Sequence, residues 1–402
     1  MLPRPPADRT VAEPSRPPKP ALEPTERSGS GTAALKANDG AYPPAGGVAA
    51  LPALQPAELL DLHPAPSDLE RLVLEGMARK PRQLPAWLLY DAEGSRLFEA
   101  IGQQPEYGLT RQETALLRER APELARSLAE GITPTPVLVE FGAGNLSKVG
   151  PLLEALQPAA YVALDISLDQ LGPSCRALQE RHPAVPVLGI CCDYADLDQL
   201  PPHPLLEGRP RLGFYPGSSL GNFDLPQARA LLSRFARLLG PGSRLLIGID
   251  QPKAPERLEA AYNDAAGVSA AFAFNLLRRL NRELAGDFDP AAFTYRARWE
   301  AAANRIAMAL VSCHSQTVTL AGRRWSFAAG EPLITEYSAK YTPESFQALS
   351  AASGWRAIRR WCDGADDLSL HLLAQADSET SRAGGETPTQ HHADPTPMRN
   401  AP

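Results

Sequence analysis

Between positions 136 and 250 short apolar runs alternate with longer amphipathic stretches, and few architectures accept that alternation. PVLVEF (136–141), YVALD (161–165), VPVLGI (185–190), RLGFYP (211–216) and SRLLIGID (243–250) are each bounded by turn-forming residues, as strands buried on both faces are. The segments at about 147–156, from Leu168 to Arg181 and from Pro226 to Gly240 have helical spacing, and Pro241 behind Gly240 stops the last one. Parallel neighbours need such crossovers, so the pattern predicts an α/β fold with a mostly parallel sheet and helices on both faces.

After Asp250 the alternation lapses. One long helix is expected over about 255–284, carrying Tyr262, followed by a β-meander of RIAMALVSC (305–313), QTVTLAG (316–322) and RRWSFA (323–328). Thr342-Pro343-Glu344 opens a helix, and WRAIRRW (355–361) and LSLHLL (368–373) read as closing strands. The sheet is therefore expected to be interrupted by an α+β substrate-binding insertion, 253–342, placed at the carboxyl end of a strand, with 343–376 completing the core.

Upstream, order is expected from about Ser67, where Ser67-x-x-Glu70 is a capping box for a helix to about Arg79. Leu97, Phe98 and Ile101 mark a second helix, and Thr110-x-x-Glu113 a second capping box for a helix to about Ala129. These helices and the strands form a core of 56–252. The chain holds 41 Pro, many of them before position 65, and residues 1–55 lack apolar periodicity. Such a segment cannot bury enough surface to offset its ordering entropy, so it and the tail 377–402 are expected to be disordered.

A formal net charge of −6 argues against nucleic-acid binding, which needs a basic surface. There is no run of 18 apolar residues, and the start MLPRPPADRT lacks a signal-peptide core, so no membrane is expected and the location is expected to be cytoplasmic. The five Cys show neither CxxC nor zinc spacing with His, so no metal is expected; His391 and His392, in the tail, make a weak pair. A monomer is expected.

The strongest motif is VEFGAGNL, a strand feeding Gly142-x-Gly144 and then a helix. Asp165 closes the next strand, where a carboxylate accepts the two ribose hydroxyls of an adenosine. A dinucleotide fingerprint wants a third glycine at position 147, which is Ser147 here. S-adenosylmethionine (SAM) has no pyrophosphate and needs no third glycine. Cys192-Asp193-Tyr194, after the third strand, suits adenine: a carboxylate for its amino group and an aromatic wall. PGSSLGNF places Asn222 after the fourth strand, as either a bifunctional ligand for an amino acid's carboxylate and amine or a turn asparagine. In TEYSAKY, a strand would put Glu336, Ser338 and Lys340 on one face, either as a grip for a group with two polar nitrogens or as an exposed polar face.

With these residues in view, the stretch from about Leu84 to Leu373 resembles the histidine Nα-methyltransferases of ergothioneine biosynthesis, which form histidine betaine. The resemblance rests on YDAEGSRLFEAI, QPEYGLTRQE, EFGAGNLSK, GSSLGN, AYNDAAGVSAAF, NREL-x-x-DFD, TEYSAKY and Trp361 in one order. It implies a Rossmann-like class I SAM-methyltransferase sheet. It implies SAM contacts at Gly142, Lys148, Asp165, Asp193 and Tyr194. Asn222 and Tyr262 would hold the histidine carboxylate, Tyr107 and Tyr90 would face the amine, and Glu336 and Ser338 would bind the imidazole, with Met308 lining its pocket. PEYGLTR departs from the family's frequent PEYYPTR, and Tyr194 stands where Phe is common. SAM methylation of another small amino acid, or SAM binding without turnover, are the alternatives. Because a carboxylate beside the amine would favour its charged form, neutral Tyr and Asn are expected around it.

Overall fold

A computed structural model describes residues 57–62, 66–365 and 367–376, apart from the side chains of 66 and 67. The expectations for 1–55, for the tail with His391 and His392, and for the Ser67 cap lie outside the described residues. Before the alternating region come β1 (Glu58–Asp61), α1 (Pro66–Ala78), β2 (Arg82–Gln83), α2 (Ala92–Gly102) and α3 (Leu109–Ala129). The region itself comprises β3 (Val137–Phe141), α4 (Gly150–Leu156), β4 (Ala160–Asp165), α5 (Leu168–Arg181), β5 (Val187–Cys191), β6 (Arg211–Tyr215), α6 (Leu225–Leu239) and β7 (Arg244–Asp250). Then follow α7 (Pro255–Ala261), α8 (Val268–Glu283), β8 (Phe293–Glu300), β9 (Arg305–Ser312), β10 (Gln316–Leu320), β11 (Arg323–Phe327), β12 (Pro332–Ala339), α9 (Pro343–Ala352), β13 (Trp355–Cys362) and β14 (Leu368–Gln375).

The main sheet has the order β1-β5-β4-β3-β6-β7-β14-β13, parallel as far as β7, with β14 antiparallel to β7 and β13 antiparallel to β14. Alternate residues of each strand feed two separate cores. Leu138, Tyr161, Ala163, Leu212 and Phe214 pack with α3, α4 and α5 on one face. Val139, Phe141, Val162, Leu164 and Tyr215 pack with α6 and α9 on the other. Two buried faces explain why these strands read as unbroken apolar runs. Chain order reverses at β3, with β4 on one side and β6 on the other, which opens a crevice at the strands' carboxyl ends.

Five local expectations need correcting. Order starts before Ser67: β1 adds an edge strand beside β5. The helix at 255–284 is two helices, because Asp264 accepts the N–H groups of Val268 and Ser269 and so starts α8 anew. Tyr262 therefore caps the end of α7 and is not mid-helix. The meander strands exist but pair otherwise: β10 and β11 form a separate hairpin, while β9 lies between β12 and β8 in a sheet of order β2-β12-β9-β8. β8 lies between the expected helix and the meander, where the sequence pattern predicts no strand. Finally, α3 starts at Leu109 and shows no side-chain cap, so Thr110 and Glu113 form no capping box.

Candidate active site

The crevice is built first from backbone. Gly142 and Gly144 follow β3 with φ of +67° and +55°, a conformation that a side chain would strain. The turn they make is fastened to the next strand, since Gly144 N–H donates to Asp165 Oδ2 at 2.7 Å and Ser167 N–H to Oδ1 at 2.9 Å. Each carboxylate oxygen keeps a second lone pair for a ligand hydroxyl. Asp193 is likewise oriented by the Ala195 N–H at 2.9 Å. Burial pushes both carboxyls above the ordinary range, and these backbone donors pull them back. Tyr194 stands edge-on to Phe141 and Tyr215, with its hydroxyl 3.3 Å from that of Tyr215, and its ring covers the Gly142 face. A glycine turn open at Gly144, two strand-end carboxylates and an aromatic wall fit SAM.

Lys148 reaches away from that turn and meets Glu113 Oε2 at 2.6 Å. The same carboxylate, fully buried, accepts the Gly217 N–H at 2.8 and 2.9 Å. Glu113 thus ties the turn after β3 to the loop after β6. It is a core carboxylate and not the cap that Thr110-x-x-Glu113 suggests. Its signal was a carboxylate on the apolar side of α3, where Leu109, Leu116 and Leu117 are also buried.

Beside this clamp lies a half-open cleft, lined mostly by apolar and neutral polar side chains as small-molecule sites are. All seven residues expected at the acceptor line it. Tyr90 and Tyr107 come from the N-terminal segment, Asn222 from the short helical turn after β6, and Tyr262 from the end of α7. Met308, Glu336 and Ser338 come from β9 and β12. Tyr90 packs edge-to-face on Phe98 and Phe272, and Tyr107 on Tyr262. Burial holds the Tyr90 and Tyr107 phenols well above their ordinary range, so both are protonated.

A bulge aims Glu336. The β12–β9 register slips between Ile334 and Glu336, leaving Thr335 as the extra residue, its hydroxyl donating to the Met308 carbonyl at 3.2 Å. One inserted residue reverses the inside–outside parity downstream. Glu336 consequently lies opposite Met308, and Ser338 opposite Ile306. Glu336 is 8% exposed, its Oε1 has no hydrogen-bond partner, and burial pushes its carboxyl up to about 8, against a smaller pull from Lys340. The exposed-face alternative for TEYSAKY is excluded: Glu336, Ser338 and Lys340 are all buried.

Lys340 does more than share that strand face. Its Nζ donates to Asp250 Oδ2 at 2.6 Å, to the Tyr262 hydroxyl at 2.7 Å and to Ser338 Oγ at 2.8 Å. Lys253 binds the other oxygen of Asp250. Both lysines hold Asp250 below its ordinary range despite burial. Among the described residues no His, Cys, Asp or Glu group is arranged to hold a metal, and no helix is long and apolar enough to cross a membrane. Burial pushes the Cys175, Cys191 and Cys192 thiols up to about 12, so they remain unreactive thiols.

The chain is similar over 314 residues to a histidine N-alpha-methyltransferase of Mycobacterium tuberculosis, at 36% identity, covering 76% of this chain and 95% of that protein. A histidine N-alpha-methyltransferase of Mycolicibacterium smegmatis is 37% identical, over 79% of this chain and 98% of that protein. Ergothioneine biosynthesis protein 1 of Neurospora crassa is 31% identical over 74% of this chain but 33% of its own, longer length. The sequence profile of the histidine-specific, SAM-dependent methyltransferases matches residues 69–375. With its class I sheet, its glycine turn and its acceptor cleft, the chain belongs to that family.

Proposed function

We propose that this protein transfers methyl groups from SAM to the α-amine of L-histidine, three times in succession, giving the betaine that begins ergothioneine biosynthesis. The observation that carries this is Glu336: a buried carboxyl with an unpartnered oxygen, facing a cleft otherwise lined by neutral residues. An imidazole supplies what that oxygen lacks, a donor nitrogen for the carboxylate or an acceptor nitrogen for the carboxylic acid. An indole offers a single N–H and no acceptor.

Gly142, Asp165, Asp193 and Tyr194 would hold SAM, with Lys148 braced alongside. Bound SAM supplies an electrophilic methyl group on a sulfonium. The chain's part is to deliver a neutral amine in line with it. Asn222 and Tyr262 would grip the carboxylate, and Glu336 and Ser338 the ring, which leaves the amine toward Tyr90 and Tyr107. Protonated phenols accept an N–H bond without stabilising the ammonium as a carboxylate would, so the nitrogen keeps its lone pair. That pair forms the new N–C bond while sulfur takes the electrons of the old one; a proton leaves the nitrogen before the next round. Held this way, the reactants meet at a high effective concentration. Aromatic faces at Tyr90 and Tyr107 suit the quaternary cation that accumulates.

In this proposal 253–342 supplies the acceptor-binding insertion, 56–252 and 343–376 the catalytic core, and the enzyme works in the cytoplasm as a monomer, apart from nucleic acid and membrane. Incubating the protein with SAM and each amino acid in turn, and following mass, tests it. Histidine gaining three methyl groups is the expected result. Gain with another amino acid and none with histidine would sink the proposal.

A further inference from the structure

Lys340 is 2% exposed and does not line the cleft; it lies behind Tyr262 and Ser338, which do. All three of its N–H donors are spent, on Asp250, Tyr262 and Ser338. The two hydroxyl oxygens also lie 2.8 Å from each other. Each accepts from Lys340, and they hold two hydrogens between them. One hydrogen bridges the pair, which leaves the other for a further acceptor on the cleft side, where the Tyr107 hydroxyl also approaches Tyr262. An ammonium behind two hydroxyls therefore makes the pair a net donor.

The charges are also unequal. Lys340 and Lys253 share the single carboxylate of Asp250. Asp367 pairs with Arg257, and Asp264 bonds the N–H groups of Val268 and Ser269, so neither carboxylate bonds Lys340 or Lys253. Glu336, lifted to about 8, is largely uncharged at neutral pH. At Asp250 two ammonium groups therefore meet one carboxylate, a local excess of positive charge behind Tyr262 and Ser338.

We propose that Lys340, anchored by Asp250, is a positioning residue that selects acceptors carrying an α-carboxylate: it turns the Tyr262–Ser338 pair into a hydrogen-bond donor and supplies the charge that the carboxylate neutralises. This rests on the proposed histidine chemistry and adds a basis for discrimination within it. A decarboxylated analogue with the same ring, histamine, satisfies Glu336 but leaves the charge beside Tyr262 unanswered.

The test uses the full chain with histidine and histamine as ligands. Both are titrated calorimetrically into protein saturated with S-adenosylhomocysteine, and KM and kcat are measured with SAM. Lys340→Met should weaken histidine about ten- to a hundredfold, as loss of a charge-assisted hydrogen bond does. Histamine shares the ring contact at Ser338 but has no carboxylate to lose, so it should weaken at least severalfold less, and the preference for histidine narrows, largely in KM. Affinity for S-adenosylhomocysteine, whose residues lie on other loops, should stay within about twofold. In a Tyr262→Phe background the same substitution should cost much less, because residues acting through one another are non-additive. Lys340→Arg, which keeps the charge, should retain most of the preference. Should Lys340→Met fail to bind S-adenosylhomocysteine, Lys340→Gln takes its place. Equal loss for both ligands, or additive effects with Tyr262→Phe, overturns the assignment while leaving histidine methylation intact. Wild-type protein that neither binds nor methylates histidine removes the proposed function and this inference together.

Discussion

Replacing Glu113 by Ala should destabilise the protein by about 3–5 kcal/mol, the usual cost of breaking a buried ion pair from one side. Three contacts make the case. Glu113 takes Lys148 Nζ at 2.6 Å and the Gly217 N–H at 2.8 and 2.9 Å, and the carboxylate is fully buried. Without it, an ammonium whose side chain is 19% exposed and a part-buried N–H lose their acceptor. Glu113→Gln keeps the shape and one acceptor oxygen but not the charge, and should cost about 1.5–3 kcal/mol, the worth of hydrogen bonds to a charged group. Urea unfolding with an unchanged m-value should rank wild type above Gln and Gln above Ala. Because Lys148 belongs to the turn after β3 and Gly217 to the loop that carries Asn222, the Gln variant should also weaken SAM and histidine together. An Ala variant within about 1 kcal/mol of wild type, well below the range for a buried pair, would refute this account of the clamp.

Further outcomes follow from the same geometry. Gly248→Ala puts a Cβ 2.0 Å from Glu113 Oε1, so it should displace the carboxylate and reproduce most of the Glu113→Ala loss in the same unfolding assay. Asp165→Ala frees the Gly144 and Ser167 N–H groups and removes the ribose acceptor; SAM affinity by calorimetry should drop about ten- to a hundredfold, and an unchanged affinity would contradict the assigned contact. Glu336 raises a pH effect whose sign is fixed. Its carboxyl sits at about 8 in the folded chain against an ordinary 4.5, so between those values the folded state holds a proton the unfolded state has lost. Stability then decreases as pH rises through that window, by up to about 1.4 kcal/mol per pH unit. Glu336→Gln should abolish this component, seen as a flatter pH dependence of the urea midpoint than in wild type without added ligand; parallel profiles would count against it.

Much of the fold was legible because its signals are local. Strands buried on both faces must be apolar throughout, and the parallel order follows from the crossovers between them, so β3 to β7 could be read from 136–250 with small boundary errors. The Gly142 turn and the strand-end positions of Asp165 and Asp193 follow from the same pattern. Elements with mixed composition were not legible. β8, FTYRARWE, alternates buried and exposed positions around charged residues, and β1 is a short edge strand held by β5. Neither carries a signal of its own, because the partner strand supplies its stability.

The sequence by itself determined the residue types of the site: a glycine turn, two strand-end carboxylates, an asparagine loop and the TEYSAKY stretch. Tertiary structure decided how they meet. Strand parity fixes which side chains share a face within one element, but the bulge at Thr335 sets which face Glu336 takes, and it exists only through pairing with β9. Tyr90, Tyr107, Tyr262 and Glu336 converge from segments far apart in sequence, which periodicity cannot reveal. The same holds for Glu113 and Lys340. Each is an ordinary charged residue in the sequence; burial and a partner more than thirty positions away, Lys148 for one and Asp250 for the other, turn them into the clamp and the charge behind the site.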